Sequence, residues 1–215
     1  MKIITHTFDQ YTDEWWTKHA GIMSSSKFKK IVAPTTLKQS ASRDAYLFEI
    51  AAEWRRIQRG GEPSKGGEGY VNHRIQWGID HEPEARVAYA QYKGLEVQEV
   101  GLIEIDGLPA GCSPDGLIGT DGGLEIKCPG KGTHARSLYE QKLPTEYIPQ
   151  VQGSLWITGR EWWDFFSYYP GLLSVVIRVY PDRNFHRALD REINEAAIKL
   201  EHIKQTLIQR EGLIT

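Results

Sequence analysis

"CSPDGLIGTDGGLEIKCP", residues 112–129, places two acids and a lysine at the ends of a glycine-rich turn. Glu125 and Lys127 stand two apart in a segment that reads as a strand, and side chains two apart on a strand share a face. If that strand pairs with the segment before its turn, Asp115 meets them across the hairpin. Two carboxylates beside one fixed positive charge suit a hard cation held by oxygen atoms. The plainer alternative is a solvated ion cluster at a hairpin end.

On the N-terminal side the pattern is helical. Thr12 is an N-cap for a helix that stops at Gly21, and Ser24 can cap a short one through Ile31. From Ser40, Tyr46, Leu47, Ile50, Trp54 and Ile57 follow helical spacing up to Gly60-Gly61. "GGEPSKGGEG" (60–69) is a flexible loop, and another helix runs from about Trp77 to Tyr92. "LEVQEVGLIEI" (95–105), "LEIKCP" (124–129), "WWDFFSYY" (162–169) and "LLSVVIRVY" (172–180) read as strands, with a helix over Glu146–Ile157. The chain closes with a helix from Asp182 to Arg210, whose stripe of Phe185, Leu189, Ile193, Ala196, Ala197 and Leu200 is packing surface. This order predicts one mixed α/β domain over 1–215. N-terminal helices occupy 1–70, a core 71–180 and a terminal helix 181–215.

A 215-residue chain with 40% hydrophobic and 25% charged content is ordinary for a globular protein. No apolar run reaches the roughly 18 residues of a membrane helix, and no apolar signal core opens the sequence, so a cytoplasmic location is expected. Cys112 and Cys128 flank the acid cluster; they are expected as buried strand thiols, with a disulfide as the alternative. The net charge of −2 argues against nonspecific nucleic-acid binding over the whole surface. Yet nine Lys or Arg between Lys27 and Lys65 face only four acids, a local excess of +5. That stretch is either a nucleic-acid footprint or a solvated, balanced helix face.

Three blocks in order, "WGIDHEPEAR" (77–86), "CSPDGLIGTDGGLEIKCP" and "YIPQVQGSLWITG" (147–159), resemble the phage-lambda-type alkaline exonucleases, a viral recombinase branch of the PD-(D/E)xK nucleases. "EWWTKHAGIMSSS" (14–26) resembles that family's opening. The signature reads Pro114-Asp115 and Glu125-Ile126-Lys127, and the resemblance spans about Trp15 to Tyr169. It implies a restriction-endonuclease-like core with a mixed central sheet flanked by helices. The implied activity is Mg²⁺-dependent 5′-to-3′ degradation of one strand of linear double-stranded DNA, leaving a 3′ single strand for recombination by annealing. A homotrimeric ring, a single-strand annealing protein as partner and a phage or prophage origin are implied with it. A PD-(D/E)xK endonuclease and a noncatalytic DNA-binding module of the same fold are the alternatives. An iron–sulfur variant needs four cysteines, and the chain has two.

Phosphodiester hydrolysis needs an activated water and stabilisation of charge on phosphorus and leaving oxygen. Two divalent ions about 4 Å apart can supply both. Asp115 and Glu125, with the backbone carbonyl of Ile126, are the expected Mg²⁺ ligands, and Mn²⁺ is expected to substitute. Nearby acids raise the pKa of Lys127, so it is expected to orient water or neutralise developing charge rather than act as a base. The resemblance adds Glu82, directly or through water, and Gln150. Glu84 competes with Glu82, and Tyr147 and Gln152 can be structural. For the 5′-phosphate the resemblance points to Ser26, with His19 where the family carries an arginine; Lys27, Lys29 or Lys131 can hold it instead. A charged His19, its pKa raised by phosphate, predicts a 5′-phosphate preference that declines between about pH 7 and 8.5.

Overall fold

The structure, a computed structural model, describes residues 2–65 and 73–212. The 60–69 loop therefore lies partly outside the described residues, and so does the N-terminal boundary drawn at 70. An unpredicted strand, β1 (Ile3–His6), precedes α1 (Asp13–His19), where Thr12 Oγ1 accepts from the Trp15 amide at 3.3 Å. Gly21, at φ +86°, takes the left-handed turn that ends this unit. A second unpredicted strand, β2 (Met23–Ser24), leads into a 3₁₀ segment, Ser25–Lys30, where a short helix was expected. Ser24 makes no side-chain cap there. Next come α2 (Arg43–Gln58) and α3 (His73–Lys93), the latter with Pro83 inside it.

Six strands and three helices complete the chain. Strands β3 (Leu102–Ile105), β4 (Ala110–Cys112), β5 (Gly116–Ile118) and β6 (Gly122–Lys127) run to α4 (Lys131–Glu140). A 3₁₀ turn at Thr145–Tyr147 enters α5 (Ile148–Thr158), followed by β7 (Trp162–Ser167), β8 (Val175–Val179) and α6 (Arg183–Glu211). Asp182 caps α6 by accepting from the Asn184 and Phe185 amides. Only the end of "LEVQEVGLIEI" is strand: residues 95–101 are irregular apart from one bridge between Gln98 and Leu117. Alternation there marked a half-buried edge rather than a ladder. Among the described residues no helix is long and apolar enough to cross a membrane.

The mixed sheet flanked by helices expected from the sequence is present, built as two four-stranded mixed sheets ordered β1-β3-β4-β2 and β5-β6-β7-β8. In the second, β5 and β6 form the predicted antiparallel hairpin, with Gly116 opposite Leu124. Strand β6 then pairs in parallel with β7, Glu125 opposite Phe165. Arg160 anchors the hairpin turn, its Nη1 donating to the carbonyls of Gly119 (3.0 Å) and Gly122 (2.7 Å). Alternation divides β6 between two cores. Leu124 and Ile126 join Ala85 and Tyr89 of α3, while Phe165 beside Glu125 joins the larger core of α2, α5 and α6. A side chain at Gly123 would sit 2.3 Å from the Trp163 ring, so a glycine is needed where that ring covers the strand.

The α6 stripe is buried as expected, from Phe185 to Leu200. Arg43, in the basic N-terminal stretch, is buried too and pairs with Glu192 of α6 at 3.0 Å. Cys112 and Cys128 are free and buried, one in each core, which answers the disulfide alternative. On the α3 side of the sheet, fully buried Asp164 accepts from Tyr89 Oη (2.8 Å) and from Arg178 Nε and Nη2 (2.8 and 2.9 Å). That closed set satisfies a buried charge.

Candidate active site

The hairpin brings the signature residues together. Asp115, just before β5, accepts the Ile126 amide on Oδ2 at 2.5 Å, which locks the loop to β6. Lys127 Nζ donates to Glu125 Oε1, and Gln150 Nε2, from the first turn of α5, donates to the same oxygen at 2.6 Å. Lys127 also lies 5.5 Å from the centre of the Tyr147 ring. Gln152 instead faces away, bonding the Tyr180 carbonyl and the Asp182 amide at 2.9 Å each. It is a structural residue.

Glu82 reaches the cluster from α3 through Arg86, whose Nη2 donates to Glu82 Oε1 at 2.6 Å and whose Nε donates to the Asp115 carbonyl at 2.9 Å. Arg86 Nη1 also pairs with Glu99 at 2.9 Å. Glu84 takes the Tyr168 hydroxyl at 2.6 Å on the exposed side, away from this set. Sequence reading missed Arg86, Gln10 and Ser113. Gln10 Nε2 donates to the carbonyls of Pro114 (2.8 Å) and Val100 (2.9 Å) and so ties the N-terminal segment to the Asp115 loop. Arg86 and Ser113 lay inside the quoted blocks; strand spacing, two before Asp115, was the signal for Ser113.

The electrostatics express crowding of like charge. Burial raises Glu125 to about 8, against Lys127, with the Asp115 charge adding to the rise. Burial and then Asp115 raise Glu82 to about 7, while Arg86 opposes. Burial raises Asp115 as well. For Lys127 burial disfavours the charge, but Glu125 and Asp115 outweigh it and hold the ammonium above its ordinary value. It stays a cation rather than a base.

Three carboxylates thus face two cations, one of which Arg86 also shares with Glu99. Among the described residues no three His, Cys, Asp or Glu side chains gather into a metal cage. The donor set nevertheless fits a hard cation. Asp115 Oδ1 and Glu125 Oε2 accept no hydrogen bond from the described residues, and a divalent charge would offset the burial that raises all three acids and the repulsion that adds to it at Glu82 and Glu125. Mg²⁺ retains several waters and needs few protein ligands.

A second cavity, about 770 Å³, is lined by Trp15, His19, Ser24, Ser26, Lys27 and Arg56 among others. Here the structure brings together three of the residues expected at the 5′-phosphate, His19, Ser26 and Lys27. His19 stacks on Trp15 with ring centres 4.1 Å apart, and burial pushes it down to about 4. Trp15 Nε1 donates to Ser113 Oγ and to the Gly101 carbonyl at 3.0 Å each, and Ser113 Oγ lies 3.2 Å from His19 Nε2. Burial favours the neutral ring. Ser26 Oγ lies 3.0 Å from Ser24 Oγ. Burial, then Lys30 and Lys29, depress Lys27 below its usual value, the mark of clustered positive charge. Lys131 is exposed at the start of α4 and does not line this cavity.

Most of the basic stretch is neutralised within the protomer. Lys30 pairs with Glu49, Arg55 and Arg59 with Glu211, Arg56 with Glu53, and Lys65 with Asp13, in addition to buried Arg43. Of the nine, Lys27, Lys29 and Lys38 make no ion pair with the described residues.

The YqaJ-like viral recombinase domain model matches residues 14–161. The crystal structure of an alkaline exonuclease, LHK-Exo, from Laribacter hongkongensis is similar at TM-score 0.80 and 30% identity, over 95% of this chain and 100% of that one. The same enzyme in complex with dAMP matches equally. A phage-related exonuclease from Haemophilus somnus 129PT, 15% identical over 88% of this chain and 96% of that one, shares the fold at TM-score 0.61. No curated protein matches. Fold and site together define a nuclease of the exonuclease class, a phosphodiester hydrolase. The chain belongs to the YqaJ-like viral recombinase family.

Proposed function

We propose that the chain is a Mg²⁺-dependent exonuclease that digests one strand of linear double-stranded DNA from its 5′ end, leaving a 3′ strand for recombination by annealing. One observation carries this reading: the hairpin cluster of Asp115, Glu125 and Lys127, completed by Glu82 and Gln150 from two helices. Asp115, Glu125 and the Ile126 carbonyl would hold the metal, with Glu82 directly or through water. When bound it supplies an activated water and charge stabilisation on the phosphate. Lys127 stays protonated and orients that water or neutralises developing charge. Gln150 fixes the carboxylate that Lys127 grips. Ser26 and Lys27 bind the terminal phosphate through a hydroxyl and a positive charge.

The likeness to an enzyme whose structure holds dAMP supports release of mononucleotides. A homotrimeric ring and a single-strand annealing partner belong to the same reading. Three protomers would multiply the few free lysines around one channel. The test is linear duplex labelled at either end, with Mg²⁺, Mn²⁺ or EDTA, beside covalently closed circles. Mononucleotides released from 5′ ends and intact circles are expected. Nicked circles would favour an endonuclease, and binding without hydrolysis a noncatalytic module.

A further inference from the structure

Tyr11 holds a left-handed backbone at φ +66°, a region that disfavours side chains other than glycine's. Its neighbours over-determine that conformation. Gln10 is pinned to the Pro114 and Val100 carbonyls, and Thr12 caps α1. The strain presents a ring that is 49% exposed yet propped by Trp15 and Trp16, with centres 5.3 and 6.3 Å away. Tyr11 lines a cavity of about 260 Å³ with Glu82, Arg86 and Asp115. Its hydroxyl makes no hydrogen bond to any described residue. Burial, then Glu82 and Asp115, raise it to about 12, so it remains an O–H donor through the working pH range. A strained, pinned residue beside a reactive cluster points to function rather than packing.

We infer that Tyr11 is a substrate-contacting residue: its O–H donates to a non-bridging oxygen of the phosphate brought to the Asp115–Glu125 cluster. This rests on the nuclease reading above. The carboxylates around that phosphate repel it, and among the cavity-lining residues a neutral donor satisfies an oxygen without adding negative charge. The left-handed backbone is what allows a residue preceding α1 to reach over the hairpin.

The experiment compares wild type, Tyr11→Phe, Tyr11→Gly and Asp115→Ala on 5′-phosphorylated linear duplex with Mg²⁺. Tyr11→Phe keeps the ring and removes the donor; kcat should fall about 10- to 100-fold with KM changed less than about 3-fold. Tyr11→Gly suits the backbone, so it should melt within about 4 °C of wild type while losing at least as much kcat. Wild-type kcat and KM in Tyr11→Phe would overturn the assignment, even if Tyr11→Gly were slow or unfolded. An inactive wild type would instead sink the nuclease reading, whereas an active wild type with an inert Asp115→Ala isolates any failure to Tyr11.

Discussion

Gln150 and Lys127 share one acceptor: both donate to Oε1 of Glu125, one from a helix and one from the strand that carries the carboxylate. Two donors on one oxygen leave its partner, Oε2, without a hydrogen bond from the described residues. Replacing Gln150 by Ala should therefore leave the fold unchanged and lower kcat about 10-fold, because Glu125 loses its second anchor. Gln150→Glu should be worse, since it places a like charge against an acid that burial already raises. Steady-state kinetics with a melting curve for each variant checks both. Wild-type kcat in Gln150→Ala would remove that residue from the site.

Asp115→Ala should abolish hydrolysis by a factor of about 10³ or more, yet raise the metal-free melting temperature by relieving repulsion on Glu82 and Glu125. Calcium should support DNA binding with little cleavage. Lys127→Ala should lower kcat more than it weakens affinity; the reverse would make Lys127 a phosphate clamp.

The acid cluster also predicts a pH slope. Glu125 and Glu82, near 8 and 7 when folded, lie above their unfolded values, so the folded protein holds more protons between those limits. Stability contributed by these groups is present below the unfolded pKa and is lost as pH rises through 7 and 8. Metal-free protein should thus melt at lower temperature at pH 8.5 than at 6.5. Mg²⁺ should raise Tm more at 8.5, where the carboxylates are charged. Differential scanning in EDTA and in Mg²⁺ measures this, and a flat metal-free profile would count against it.

His19 works with the opposite sign and in a different window. Its folded pKa, about 4, lies below the unfolded value near 6.5, so the unfolded chain binds the extra proton between them. The stability is present above 6.5 and is lost as pH falls through 4, worth about 2 kcal/mol once partial solvent access is allowed for. Urea melts of wild type and His19→Gln at pH 5 and 7 should show the slope only in wild type. A 5′-phosphate preference that stays flat from pH 7 to 8.5 would fit the buried, neutral ring, whereas one that declines would mean that bound phosphate restores the His19 proton.

Asp164→Ala should destabilise by about 1–3 kcal/mol, since it leaves the buried Tyr89 hydroxyl without its acceptor, while Arg178 reaches solvent. Asp164→Asn should cost less. A change below about 1 kcal/mol in denaturant titration would mean that water replaces the lost partner.

The hairpin was legible because strand alternation and a glycine turn are local signals that bring Asp115, Glu125 and Lys127 together, while their expected role rested on the resemblance carried by the flanking blocks. The long helices α2, α3 and α6 were legible from their spacing. Strands β1 and β2 were not: β2 is two residues long, and β1 is stabilised only by β3, about a hundred residues away. The splitting of one sheet into two was equally hidden, since strand order depends on contacts between distant segments. Burial of His19 depends on Trp15 stacking and Ser113, a coincidence of three segments, so its protonation could not be read from a charge table. The basic excess between Lys27 and Lys65 misled for a similar reason, as its partners Glu192 and Glu211 sit at the other end of the chain.

Gly153 of α5 lies against Phe28, where a methyl group would come within 2.5 Å of the ring. That contact seats the 3₁₀ segment bearing Ser26 and Lys27 directly on the helix bearing Gln150. On the function proposed above, the grip on the strand end and the cut are joined by this ring-on-backbone contact rather than by a loop. On that reading a bulkier residue at 153 would shift the grip relative to the cut, and so change the fragment released, before it touched the chemistry.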